Sequence, residues 1–194
     1  MRREQARDRI LRATVDTLAL HGYAGTTARA IALRGGFAPG VIYYHFTDLD
    51  DLFRQTMRFV SDGRMDRYRD HVVGVTSAVE LLERLRVLHD EDVDSGHISA
   101  VQELIAGGSE PVTDQIRAEV RRWQDLAEEV IGALVANTPF APFVPVRQAA
   151  EAVVAFYLGL EMLQQIDVDP SRTDAFFASA QQAAVFFDTL RATE

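Results

Sequence analysis

The chain of 194 residues contains no cysteine. Disulfide cross-links and thiolate chemistry are therefore excluded, and nothing points to an oxidising compartment. Lysine is absent too: all 20 basic residues are arginine, a bias better explained by a GC-rich genome than by a demand for guanidinium groups. Long apolar runs are missing. The longest, Ala152 to Leu160, is closed by Glu151 and Glu161 and falls short of the roughly 20 residues a bilayer-spanning helix needs. The N-terminus, MRREQARDRI, has no apolar core and does not read as a secretory signal, so a cytoplasmic location is expected. No G-x-S-x-G, P-loop, dinucleotide fingerprint or H-E-x-x-H occurs, so neither an enzyme nor a cofactor is expected. Internal repeats and low-complexity segments are also lacking.

What remains is 47% hydrophobic and follows a helical period nearly throughout, which predicts an all-α protein. The net charge of −9 argues at first against a nucleic-acid partner, but its distribution reverses that reading. Residues 1–47 hold seven arginines against Glu4, Asp8 and Asp16, whereas residues 48–194 hold 13 against 26 acids. A basic foot on an acidic body would orient on DNA through its field.

The basic end carries the most informative segment, TTARAIALRGGFAPGVIYYHFTDLDDL, from Thr26 to Leu52. Thr26-Thr27 opens a helix with a hydroxyl free to cap it. Ala30, Ile31 and Leu33 are expected on its buried side, and Gly35-Gly36 stop it. Pro39 fits the first position of a second helix. Ile42 and Phe46 anchor that helix inward, leaving Gly40, Val41, Tyr43 and Tyr44 outward. A short helix with small residues and exposed tyrosines suits a DNA major groove.

At these residues the chain resembles the TetR family of bacterial regulators over about Arg7 to Phe53. The matching residues are Gly22-Tyr23, Thr26-Thr27, Ile31-Ala32, Gly36, Tyr43, His45, Phe46 and Leu52. The resemblance implies an N-terminal helix-turn-helix domain, expected at 1–47, and a helical ligand-binding and dimerisation domain at 48–194. It places Tyr43 and His45 against the DNA backbone and Arg29 on a guanine or a phosphate. The Thr27 hydroxyl can meet a phosphate as well as cap its helix. Tyr44 is expected at a base edge or a thymine methyl, with aromatic packing as the alternative for all three rings. Gly40 and Val41 offer no polar group, so specificity would rest on Arg29, thymine methyls and DNA shape. Arg2 and Arg3 read as a disordered tail or as an arm into the minor groove. Three residues depart from the family pattern. Ala38 replaces a capping Ser or Thr, typically at a cost of about 1 kcal/mol. Leu49 replaces a backbone-contacting lysine, and Phe37 replaces a valine.

Six further helices are expected, beginning near Asp48 and ending near Arg191, with a capping box at Ser77-Ala-Val-Glu80. Phe176, Ala180, Ala183, Phe187 and Leu190 step by 4, 3, 4, 3, a packing seam on the last helix. With Phe156 and Leu160 of the preceding helix, this seam is expected to form a four-helix homodimer interface. The resemblance implies a small-molecule pocket among the middle helices. His89, Gln102, Glu103, Trp123, Phe156 and Tyr157 are its candidate contacts, with Phe140 and Gln164 as further possibilities. His89-Asp-Glu-Asp-Val-Asp-Ser-Gly-His97 reads as a solvated helix end, not a metal site.

The expected function is a sequence-specific regulator, a repressor, on double-stranded DNA. A palindromic operator would bind a homodimer and be released when a small-molecule effector occupies the C-terminal domain. Two alternatives stand beside it: a sequence-tolerant DNA-architectural protein, and a ligand-binding protein or enzyme with a vestigial helix-turn-helix.

Overall fold

A computed structural model describes the backbone of residues 2–136, 138–139, 141–166 and 171–192. Phe140 and the side chains of Arg2 and Gln164 lie outside the described residues. The described elements are helical: α1 (Arg2–Gly25), α2 (Ala28–Gly35), α3 (Gly40–His45), α4 (Leu49–Val72), α5 (Ala78–Asp94), α6 (His97–Gly107), α7 (Glu110–Val135), α8 (Val146–Ile166) and α9 (Ser171–Ala192), with a 3-10 turn at Ala141–Phe143. No described helix is long and apolar enough to cross a membrane. The chain divides into two compact units, residues 1–64 with 92–119 and residues 65–91 with 120–194.

In the first unit, Ile10 and Leu18 of α1, Ile31 of α2, Ile42 of α3 and Leu52 of α4 are each at most 1% exposed and share one apolar core. Ala100, Val101 and Leu104 of α6 close that core. One inward assignment fails. Leu33 is 83% exposed, because Ile31 and Ala32 already face the core and the next residue turns about 100° away.

Glycines set the corners. Gly22 interrupts α1 at φ 68°, ψ 176°, a conformation nearly confined to glycine. The Tyr23 N–H freed there donates to Glu103 Oε2 at 2.8 Å. Gly36 ends α2 in the left-handed region, and the Phe37 N–H reaches back to Ala32 O at 3.0 Å. Gly35 is required for a different reason: a Cβ there would lie 2.1 Å from Phe37 Cε1. Gly35→Ala is therefore expected to destabilise the protein by about 1–3 kcal/mol through overpacking. Phe37→Val in the same chain should recover most of the loss, as read by thermal unfolding.

The second unit packs Tyr68 and Val72 of α4, Leu88 of α5 and Leu126, Val130 and Leu134 of α7 into its own core, with Trp123 against it. The capping box forms: Ser77 Oγ accepts the Glu80 N–H at 3.1 Å, and Glu80 Oε2 accepts the Thr76 N–H at 3.0 Å. That backbone bond is the main cause holding the Glu80 carboxyl below its usual range. Asp188 of α9 adds two more bonds to the start of α5, accepting the Ala78 and Val79 N–H groups at 3.0 Å each. On α9, Thr173, Phe177 and Ala184 are buried in the chain's own core, while Phe176, Ala180 and Phe187 are half-buried and Ala183 is exposed.

Candidate functional site

The first unit presents α2 and α3 to solvent. Thr27 caps α2 with extended backbone, its Oγ1 accepting the Ala30 N–H at 3.2 Å, and it stays exposed. Arg29 is the second residue of α2, exposed and with no ion-pair partner among the described residues. Its neighbours are engaged differently. Arg34 Nε pairs with Asp16 Oδ2 at 3.0 Å, and Arg9 Nη2 donates to Gly36 O at 3.2 Å. On α3, Tyr43 is 55% and Tyr44 71% exposed, and Gly40 faces open space. Val41, expected outward, is half-buried and packs against the core. His45 is half-buried too, with Tyr44 edge-on to it at 5.0 Å.

The departures from the family pattern have visible consequences. With Ala38 in place, α3 begins without a side-chain cap; the Val41 N–H bonds to Ala38 O at 2.9 Å. Leu49 lies partly buried against the core. The acids around it serve α4. Asp48 Oδ1 accepts the Asp51 N–H at 2.7 Å, and Asp51 Oδ2 accepts the Thr47 N–H at 3.0 Å. Partial burial opposes ionisation of Asp51, but Gln55, the Thr47 N–H, Arg54 and Arg7 together hold its carboxyl below the usual range.

The second unit holds a string of polar aromatic groups. His89 is fully buried, and its Nδ1 lies 3.1 Å from the Tyr157 hydroxyl. That hydroxyl lies 2.8 Å from the hydroxyl of Tyr68, whose ring meets Trp123 edge-on at 5.0 Å. His89, Tyr157 and Trp123 are thus brought together, with Tyr68 as the link the sequence reading missed. Tyr68 continues the apolar stripe of Met57, Val60 and Met65, and that extension was its available signal. The other pocket candidates fall elsewhere. Glu103 belongs to the first unit and is engaged by the Tyr23 N–H. Gln102 lies in the same unit, its Nε2 buried with no hydrogen-bond partner among the described residues. Phe156 is 55% exposed, against Phe176 at 4.8 Å, so it lines the surface of α8 and α9 and no interior site. Leu160, expected at a dimer interface, is 5% exposed and packs inward.

The acidic stretch at His89–His97 is largely a solvated helix end, with Asp90, Glu91, Asp94 and Ser95 exposed, but two of its residues turn inward. Asp92 is fully buried and accepts Arg64 Nε at 2.8 Å. No group of three or more metal-ligating side chains suited to hold an ion occurs among the described residues. A second buried carboxylate, Glu119, accepts the Ser61 hydroxyl at 2.7 Å and Gln115 Nε2 at 2.6 Å. The sequence gives no hint of these burials, since each acid sits in an ordinary polar helix.

An outward short helix after a glycine turn, on the basic end of a chain whose described elements are helical, has the form of a helix-turn-helix DNA-binding domain. The family model for bacterial regulatory proteins of the tetR family matches residues 10–56. The HTH-type transcriptional repressor KstR2 of Mycobacterium tuberculosis (strain ATCC 25618 / H37Rv) is 26% identical over 132 residues, covering 64% of this chain and 66% of that protein. The match thus spans just under two thirds of the relative's length. A TetR-family regulator from Agrobacterium tumefaciens shares the fold at TM-score 0.75 and 18% identity, covering 94% of this chain and 98% of that one. FadR of Bacillus subtilis, solved with stearoyl-CoA, does so at 0.78 and 16%, covering 92% and 97%. Residues 10–56 thus match the TetR-family model, and the chain shares the fold of TetR-family structures.

Proposed function

We propose that the protein is a transcriptional repressor, regulatory and not catalytic, acting in the cytoplasm as a homodimer on a palindromic operator. The observation that carries this reading is the solvent-facing surface of α2 and α3. There Arg29, Tyr43 and Tyr44 stand exposed, and Arg29 has no ion-pair partner among the described residues. Two such surfaces about 34–36 Å apart, or a multiple of that, would meet successive turns of one DNA face.

The dimer reading is supported by α8 and α9. Val153, Phe156, Met162 and Leu163 of α8 and Val185, Phe186 and Leu190 of α9 are each 38% exposed or more. Exposed apolar groups at this density mark an interaction face, and a face built on two adjacent helices suits a four-helix contact between identical chains. A shallow groove of ≈540 Å³ runs along α9 between Ala178, Gln181, Gln182 and Val185. Phe186→Glu is expected to convert the dimer to a monomer in sedimentation equilibrium and to abolish cooperative occupancy of a full operator, while half-site binding persists. A Phe186→Glu protein that stays dimeric would remove α9 from the interface.

An effector bound in the C-terminal domain would favour a dimer whose spacing no longer fits the operator. Affinity then falls by the coupling free energy, typically about 1–3 kcal/mol. Stearoyl-CoA, which occupies the Bacillus subtilis neighbour, is the first probe to titrate against the protein–DNA complex. Release of DNA at saturation would support that ligand class, and unchanged affinity would exclude it.

A further inference from the structure

Arg3 and Arg7 stand one turn apart on α1, and both lie over aromatic rings at the recognition helix. Arg3 Cζ is 5.8 Å from the centroid of Tyr44, and Arg7 Cζ is 5.3 Å from that of Phe46. The two arginines differ in what else they meet. Phe46 is a core ring, 2% exposed, and the Arg7 charge helps to hold the Asp51 carboxyl below its usual range. Arg7 thus fastens α1 to the end of α3 and the start of α4. Tyr44 is 71% exposed, and Arg3, itself exposed, has no carboxylate partner among the described residues.

We propose that Arg3 is a DNA-backbone contact held by the folded start of α1, and that the Tyr44 ring is the platform that positions it. The proposal rests on the DNA-binding reading above. A guanidinium over an aromatic face loses solvent on one side only, and its N–H donors, which lie in its own plane, stay open at its edge. That edge matches the oxygens of a phosphate. Arg3 adjoins the surface that carries Tyr43 and His45, so the phosphate it meets borders the groove that α3 enters. Tyr44 acts through Arg3 as well as through any contact of its own: one face carries the guanidinium, and His45 braces the ring. Neither a disordered tail nor a minor-groove arm describes Arg3, which lies within α1.

The test uses the full chain on a duplex enriched from a random pool, with affinity measured at several KCl concentrations between 50 and 200 mM. Each phosphate contact contributes about 0.9 to the slope of log affinity against log salt. Arg3→Gln is expected to lower that slope by about 2 for a dimer, so that variant and wild type converge about tenfold across the range. Tyr44→Phe, which keeps the ring, should keep the slope. Tyr44→Ala should lose part of it, and adding Arg3→Gln should then cost less than it does in the wild type. An Arg3→Gln slope equal to wild type, with or without a lowered melting temperature, overturns the phosphate contact and leaves a packing role. A wild-type slope in Tyr44→Ala overturns the platform. Absence of any enriched duplex for the wild-type protein overturns the DNA-binding reading instead, and so stays distinct.

Discussion

Arg29→Ala is expected to weaken operator binding between about 30-fold and 20,000-fold. A good bidentate arginine–guanine contact is worth about 1–3 kcal/mol of discrimination, and a dimer makes it twice. The expectation for Arg29 is supported by its exposure. Arg34 is paired with Asp16 and Arg9 is bound to the Gly36 carbonyl, whereas Arg29 stands exposed near the start of α2 without a carboxylate. The variant also separates the two contacts open to Arg29. Loss of a guanine contact relaxes preference at one symmetric pair of base positions and leaves the salt slope unchanged. Loss of a phosphate contact weakens all sequences alike and lowers the slope by about 2. An unchanged affinity on the preferred duplex would make Arg29 a solvated surface residue.

The largest effect on stability is expected at Asp92. Asp92→Ala leaves the Arg64 guanidinium, whose side chain is 8% exposed, without the carboxylate it meets at 2.8 Å. Removing one partner of a buried ion pair costs about 3–5 kcal/mol. For a chain of this length that corresponds to a fall in melting temperature of about 6–20 °C. The double variant Arg64→Met with Asp92→Leu should recover most of the loss, since a buried pair is often replaceable by apolar groups of similar volume. A single variant that melts like the wild type would mean that the pair is hydrated and contributes little.

The fold was legible because its signals are local. Thr27, Gly36 and the Ser77–Glu80 box cap the helices where their chemistry requires, and the stripe Leu52, Phe53, Met57, Val60 is buried as its period demands. Much of the outward surface was legible too: Arg29, Tyr43 and Tyr44 are exposed. What stayed hidden depends on partners distant in sequence. Glu103 looks like a pocket residue until the Tyr23 N–H, 80 positions earlier, is found on its carboxylate. His89 and Asp92 look like surface residues of an acidic turn, yet Tyr157 and Arg64 satisfy them in the interior. Polar burial of this kind leaves no periodicity, because one well-paired group can replace an apolar one without changing the pattern around it. Leu160 and Phe156 illustrate the same limit on a helix apolar all round, where spacing alone does not say which face the chain keeps for itself.

On the function proposed above, this chain reads DNA sequence through α2 and α3 as a dimer. The direct measurement is selection of bound duplexes from a random pool at about 0.15 M salt, near physiological ionic strength, followed by sequencing. A palindromic consensus with its half-sites one helical turn or a multiple apart should be enriched, and Arg29→Ala should lose that enrichment. A pool recovered without consensus, by a protein that is folded and dimeric, would contradict that function.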